Sequence, residues 1–123
     1  MEKKVLLAEE EEDIINLLQN KFIKEGYAFF NTRDGVETLK KIQEIKPDLI
    51  LIDVFLPKMT GLEIAAKISK DPVLKETPII VIFNSRQPEE INQARDLGVK
   101  NWVFKTEFEP QDIINKVIQQ IGK

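Results

Sequence analysis

Three observations predict a doubly wound α/β domain, a parallel five-stranded sheet with helices on both sides. Five short apolar runs recur along the 123 residues, separated by segments of helical spacing. The runs are apolar without alternation, as in Leu49-Ile50-Leu51-Ile52, which marks strands buried on both faces. Three runs end in charge: Glu9 to Asp13 after the first, Asp53 after the third and Lys105 after the fifth. In parallel sheets ligands bind outside the carboxyl ends of the strands, so chemistry is expected at those three ends.

The first strand is expected at Val5–Ala8. Ile14, Leu18 and Phe22 then repeat every fourth residue, widened by Ile15 and Ile23, and Gly26 stops the helix. A second strand follows at Tyr27–Phe30. Asp34 with Glu37 has the form of a capping box, opening a helix with Val36, Leu39 and Ile42 inward until Pro47. The third strand, Leu49–Ile52, leads to a second capping signal, Thr60 with Glu63, and a helix through Leu62, Ala65 and Ile68. Ile79–Phe83 is the fourth strand. Pro88 suits a first helical position, and Glu89 and Glu90 suit the positive end of the helix dipole. Ile91, Ala94 and Leu97 carry that helix to Gly98. Trp102–Phe104 is the fifth strand, and Pro110 starts a fifth helix with Ile113, Ile114, Val117, Ile118 and Ile121 on one stripe. Five strand–helix units with right-handed crossovers favour strand order 2-1-3-4-5 in a single domain over residues 1–123.

Composition removes several functions. Without cysteine there are no disulfides or thiolate metal sites, and without histidine there is no imidazole base, His-ligated zinc or phosphohistidine. A formal charge of -3 argues against a nucleic-acid surface, which would be strongly basic. No apolar stretch approaches the roughly 18 residues of a membrane span, and no signal-peptide core opens the chain. A cytoplasmic chain with neither nucleic-acid nor membrane contacts is the expectation.

The order 2-1-3-4-5 makes strands 1 and 3 neighbours, so the acidic run and Asp53 should face each other across a crevice. Carboxylates that close repel, and a hard divalent cation relieves the repulsion. Magnesium commonly takes one or two carboxylates plus waters and phosphate oxygens, and it suits an open site of this kind. Lys105 on the far side adds a point charge for an anion. The implied ligand is a phosphoryl group beside a metal, with Glu10, Asp53 and Lys105 in one pocket.

These residues resemble the receiver domain of two-component response regulators along the whole chain. Val5-Leu6-Leu7-Ala8-Glu9-Glu10 is similar to the family's first strand and acidic pair, and Asp34-Gly35 to the start of its second helix. The most specific segment runs from Asp48 to Glu63. It holds an acceptor aspartate, a proline four residues on and a Gly-Leu-Glu helix opening. Leu97-Gly98 and Trp102-Val103-Phe104-Lys105 resemble the fifth strand, its lysine seven residues after the glycine.

The resemblance implies a flavodoxin-like fold in which Asp53 accepts a phosphoryl group from a sensor histidine kinase, a phosphotransfer protein or a small phosphodonor. Glu9, Glu10, Asp53 and the backbone carbonyl of Phe55 would hold Mg²⁺, and Lys105 would contact the phosphoryl oxygens. Trp102 takes the place of the aromatic switch residue. The fourth helix, fifth strand and fifth helix would form the face for a downstream protein target, with homodimerisation left open. Such a chain is no enzyme beyond catalysing its own phosphorylation and dephosphorylation. It stops after the fifth helix, so no output domain is expected in it.

Two positions depart from the family pattern. Phe83 stands where the family has threonine or serine, five residues after Pro78, and Pro78 and Gly98 anchor that alignment without a gap. A phenyl ring cannot donate to a phosphoryl oxygen, and at the mouth of the site it would narrow access to Asp53. A register shift to Asn84 or Ser85 would be needed to restore a donor. Glu10 stands where aspartate is the rule and adds one methylene, roughly 1.5 Å by standard bond lengths. Magnesium demands near-ideal geometry, so weakened binding is expected. Thr106 also replaces the proline that commonly follows the lysine, which removes the reason for a cis peptide there. The departures support a second reading, a phosphorylation-independent pseudo-receiver acting as a protein-interaction module. A small phosphate-ester hydrolase is disfavoured, because Val54-Phe55 after Asp53 offers no second acid as general acid.

Overall fold

Runs of leucine, isoleucine and valine with no polar member are stable as strands only where both faces are covered, and that is what this chain forms. The computed structural model describes residues 2–107 and 109–123. Among these, five strands are β1 (Lys4–Ala8), β2 (Ala28–Thr32), β3 (Leu49–Asp53), β4 (Ile79–Phe83) and β5 (Asn101–Phe104). They alternate with α1 (Glu12–Lys24), α2 (Gly35–Ile45), α3 (Gly61–Ser69), α4 (Pro88–Asp96) and α5 (Pro110–Ile121), and a 3-10 turn at Leu74–Glu76 precedes β4. Every pairing is parallel and the order is β2-β1-β3-β4-β5, the expected topology. No described helix is long and apolar enough to cross a membrane.

Alternate residues of the sheet feed two cores. Leu6, Ile50, Ile52, Val81 and Phe83 pack with Ile42, Ile64, Ile68 and Ala94 from α2, α3 and α4. Val5, Leu7, Leu49, Leu51, Ile80 and Ile82 pack on the opposite face with Leu18, Phe22, Ile113 and Val117 from α1 and α5. Burying each such side chain contributes roughly 1.5–3 kcal/mol. With both faces apolar, alternation cannot fix the register by itself. The charged ends act as stops instead, since a one-residue slip would turn Glu9 or Asp53 onto the opposite, apolar face, away from the groups that pair them.

Three expectations need correction. The second strand runs Ala28–Thr32 rather than Tyr27–Phe30, because backbone pairing of Asn31 and Thr32 with Leu7 and Ala8 does not require apolar side chains. Val36 points outward at 52% exposure. The buried stripe of α2 is Gly35, Thr38 and Ile42, with the Thr38 hydroxyl satisfied by Thr32 Oγ1 (2.6 Å) and the Asp34 carbonyl (2.7 Å). Ile23 is also exposed, leaving Ile15, Leu18 and Phe22 as the inner stripe of α1.

Capping follows the expectation at Asp34 and Thr60, whose side chains accept from the N–H groups of Glu37 (2.8 Å) and Glu63 (3.2 Å). The Glu37 carboxylate reaches one residue past the cap, to the Arg33 N–H. A reciprocal box is present instead at α5, between Glu109 and Asp112.

The β3–α3 connection is held tightly. Gly61 donates to the Val54 carbonyl (3.1 Å) and Gly35 to the Pro57 carbonyl (2.9 Å). A Cβ at Gly61 would come within 2.5 Å of the Asp53 carbonyl oxygen, and one at Gly35 would collide with the Met59 backbone. Only glycine lets the starts of α2 and α3 approach this loop so closely.

Candidate functional site

The register builds the site. Ala8 lies beside Ile52, Asp53 beside Ile82, and Phe83 beside Phe104. Glu9, Asp53 and Lys105 therefore arrive together at the carboxyl end of the sheet. Successive strand residues point to opposite faces. Val5-Leu7-Glu9, Leu49-Leu51-Asp53 and Val103-Lys105 thus continue the α1/α5 face, so their last members converge above one core.

Lys105 Nζ lies 2.6 Å from Asp53 Oδ2, 3.0 Å from Glu11 Oε1 and 3.4 Å from Glu9 Oε2. Asp53 is 1% exposed, and its Oδ1 accepts from the Phe55 N–H at 2.9 Å. Glu9 is fully buried, its Oε2 accepting from the N–H groups of Glu10 and Glu11, both at 2.9 Å. Its Oε1 is buried with no hydrogen-bond partner among the described residues.

Burial pushes the Glu9 carboxyl up to about 7; the Glu11 N–H opposes this, and the neighbouring Asp53 adds to it. Burial works against the Lys105 ammonium too, but Asp53, Glu11 and Glu9 outweigh it and hold its pKa well above the ordinary lysine value. Lys105 is therefore a permanent cation here.

The side chains of the other anticipated residues lie apart from this cluster. Glu10 is exposed, and its carboxylate makes no hydrogen bond or ion pair among the described residues; its main chain alone is engaged, the N–H by Glu9 Oε2 at 2.9 Å and the carbonyl by Arg33 at 3.4 Å. Phe55 is 56% exposed on the β3–α3 loop. Phe83 does not stand at the mouth. It is fully buried in the α2–α4 core and stacks on Phe104, with centroids 5.9 Å apart. Strand parity is the reason, because Phe83 follows Ile82, the neighbour of Asp53, and so points to the opposite face. Trp102 is half-buried on that same face, under the Arg95 guanidinium of α4.

Two features escaped the sequence reading. Glu11 is the nearer carboxylate of the acidic run to Lys105, whereas only Glu9 and Glu10 were singled out. Arg86 lies 4.2 Å from the Phe104 ring centroid and makes a forked pair with Glu107 (2.7 and 3.1 Å), tying the β4–α4 loop to the segment after β5. No local signal marks two exposed loop residues as partners.

An orphaned carboxylate oxygen beside a second carboxylate is a donor set that a hard cation satisfies, so Glu9 and Asp53 fit Mg²⁺. No group of three or more metal-ligating side chains is gathered among the described residues. An ion would draw on two carboxylates, a backbone carbonyl and waters, which is ordinary for magnesium.

A buried aspartate paired with lysine at the switch point of a 2-1-3-4-5 sheet defines a receiver-type α/β domain. Comparison with known proteins agrees: the model of the response regulator receiver domain matches residues 5–118, and the chain belongs to that family. It is 34% identical over 117 residues to the alkaline phosphatase synthesis transcriptional regulatory protein PhoP of Bacillus subtilis, covering 95% of this chain but 48% of PhoP. The chain thus spans about half the length of that relative. It is 30% identical to the polar-differentiation response regulator DivK of Brucella anthropi, over 85% of each chain. Among solved structures, the phosphorylated cyanobacterial phytochrome response regulator RcpA superposes with a TM-score of 0.87 at 28% identity, over 98% of this chain and 94% of that one.

Proposed function

We propose that this receiver domain takes a phosphoryl group on Asp53 in two-component signalling and thereby alters a protein-binding surface. The observation that carries the proposal is the Lys105–Asp53 contact of 2.6 Å beside the unpartnered Glu9 Oε1. In the reaction an Asp53 oxygen forms the new bond to phosphorus while the donor's bond to phosphorus breaks, and the donor group leaves with the electron pair. Lys105 then transfers its contact from Asp53 to the phosphoryl oxygens, neutralising charge that spreads over them. Mg²⁺ would be held by Glu9, Asp53 and the Phe55 carbonyl, with Glu10 close in sequence, and supplies further charge neutralisation. The donor is a sensor histidine kinase, a phosphotransfer protein or a small acyl phosphate. The output is a protein partner on the α4–β5–α5 face, in the cytoplasm.

Incubation with acetyl phosphate and millimolar Mg²⁺ should add one hydroxylamine-sensitive phosphate to the wild type and none to Asp53→Asn. Beryllofluoride should shift Trp102 fluorescence only through movement of α4. Trp102 sits three strand residues, about 10 Å, from Lys105 and on the opposite face.

A second reading, the pseudo-receiver, draws on Phe83: a fully buried ring supplies no hydroxyl to report phosphorylation. No mass gain on Asp53 with either acetyl phosphate or a phosphorylated kinase would favour it.

A further inference from the structure

A groove of about 580 Å³ runs between α3 and α4 from the end of β3, bounded in part by Phe55, Leu62 and Leu97. Three carboxylates, Glu63, Glu90 and Asp96, share its lining, and no lysine or arginine does so among the described residues. Phe55 is the one aromatic among the large, well-exposed apolar side chains of the described residues. The backbone of its loop is held by the Gly35 and Gly61 bonds and by the closeness of both glycines to the loop main chain. An exposed aromatic on a backbone that is already fixed has only its side-chain rotations to lose on contact, which suits a binding anchor.

We propose that this groove docks a cationic amphipathic helix of a partner protein. The apolar surface takes one face of the helix, and the three carboxylates meet its flanking lysines or arginines. An extended strand is a poor occupant. The edges of the sheet are β2 and β5, so backbone groups next to the groove are already paired, whereas a helix satisfies its own. The groove shares α4 with the α4–β5–α5 face but opens on its α3 side, and the inference does not depend on phosphoryl transfer.

The test uses the full chain and two labelled synthetic helices of about 15 residues. Both carry leucines at three- and four-residue spacing; one is flanked by lysines, its twin by glutamates. Fluorescence anisotropy should show micromolar binding of the lysine peptide, weakening as salt rises, and binding of the twin about tenfold weaker or less. Amide shifts should move at Phe55, Leu62 and Leu97. Glu90→Gln with Asp96→Lys should cost about tenfold in affinity. Phe55→Ser, a change at an exposed ring, should cost a similar factor while the circular dichroism spectrum stays unchanged. Equal binding of the two peptides, full affinity in the charge variant, or shifts confined to α1 and α5 would overturn the proposal.

Discussion

The two faces of the sheet end differently. Above the α1/α5 core, the strands finish in Glu9, Asp53 and Lys105, held by charge. Above the α2–α4 core, β4 and β5 finish in Phe83 and Phe104, stacked on each other and covered by Arg86. One face is built to exchange partners, because one of its buried oxygens, Glu9 Oε1, has no partner among the described residues and its cation is shared among three acids. The other is packed like any interior. Phe83 belongs wholly to the packed face, and the charged face is assembled without it.

Substitutions on each face test this contrast. Phe83→Thr should have the largest effect, losing about 3–5 kcal/mol of stability in urea titrations, because it empties a ring-sized volume in the α2–α4 core. A loss under about 1 kcal/mol would mean that the ring is not packed as described. Any gain in phosphorylation from that variant is to be read against this cost. On the charged face, Lys105→Met should cost about 3 kcal/mol at neutral pH, since it strands buried carboxylates. Added Mg²⁺ should recover part of that loss, whereas it should do nothing for Phe83→Thr.

The pH response sharpens the same distinction. The Glu9 pKa is raised from 4.5 to about 7 in the folded chain, so the native state holds this proton more tightly than the unfolded state. Its contribution is therefore complete below about pH 4.5 and is lost as pH climbs through 7. Metal-free protein should be easier to unfold at pH 8 than at pH 5, and Glu9→Gln should remove most of that difference. An unchanged slope in the variant would show that another group is responsible. Arg86→Ala should have the smallest effect, a slight fall in Tm that shrinks as salt rises, because its pair with Glu107 lies in solvent.

The topology was legible because the apolar runs, proline starts and glycine stops all pointed to one βα repeat. Asp53 and Lys105 were legible because each follows a run directly. The direction of Phe83 was not. A strand apolar on both faces carries no alternation to show which residues look which way, so parity emerges only once β4 is set against β3 and Asp53 lies beside Ile82. The same limit hid Glu9 as the buried acid. Counting by twos from Val5 selects Glu9 over Glu10, but only after Val5 is known to face α1 and α5. Val36 was misplaced for another reason: a threonine with both hydroxyl contacts met can occupy an inner position that an apolar count assigns to a neighbour.

The Lys105 amide donates to the Phe83 carbonyl at 2.8 Å. The residue whose ammonium grips the acids is thus fastened through its main chain to the aromatic edge on the far side. That hydrogen bond joins the Lys105 main chain to the root of the loop leading into α4. Because the contact uses only the Phe83 carbonyl, it does not depend on which side chain stands at position 83.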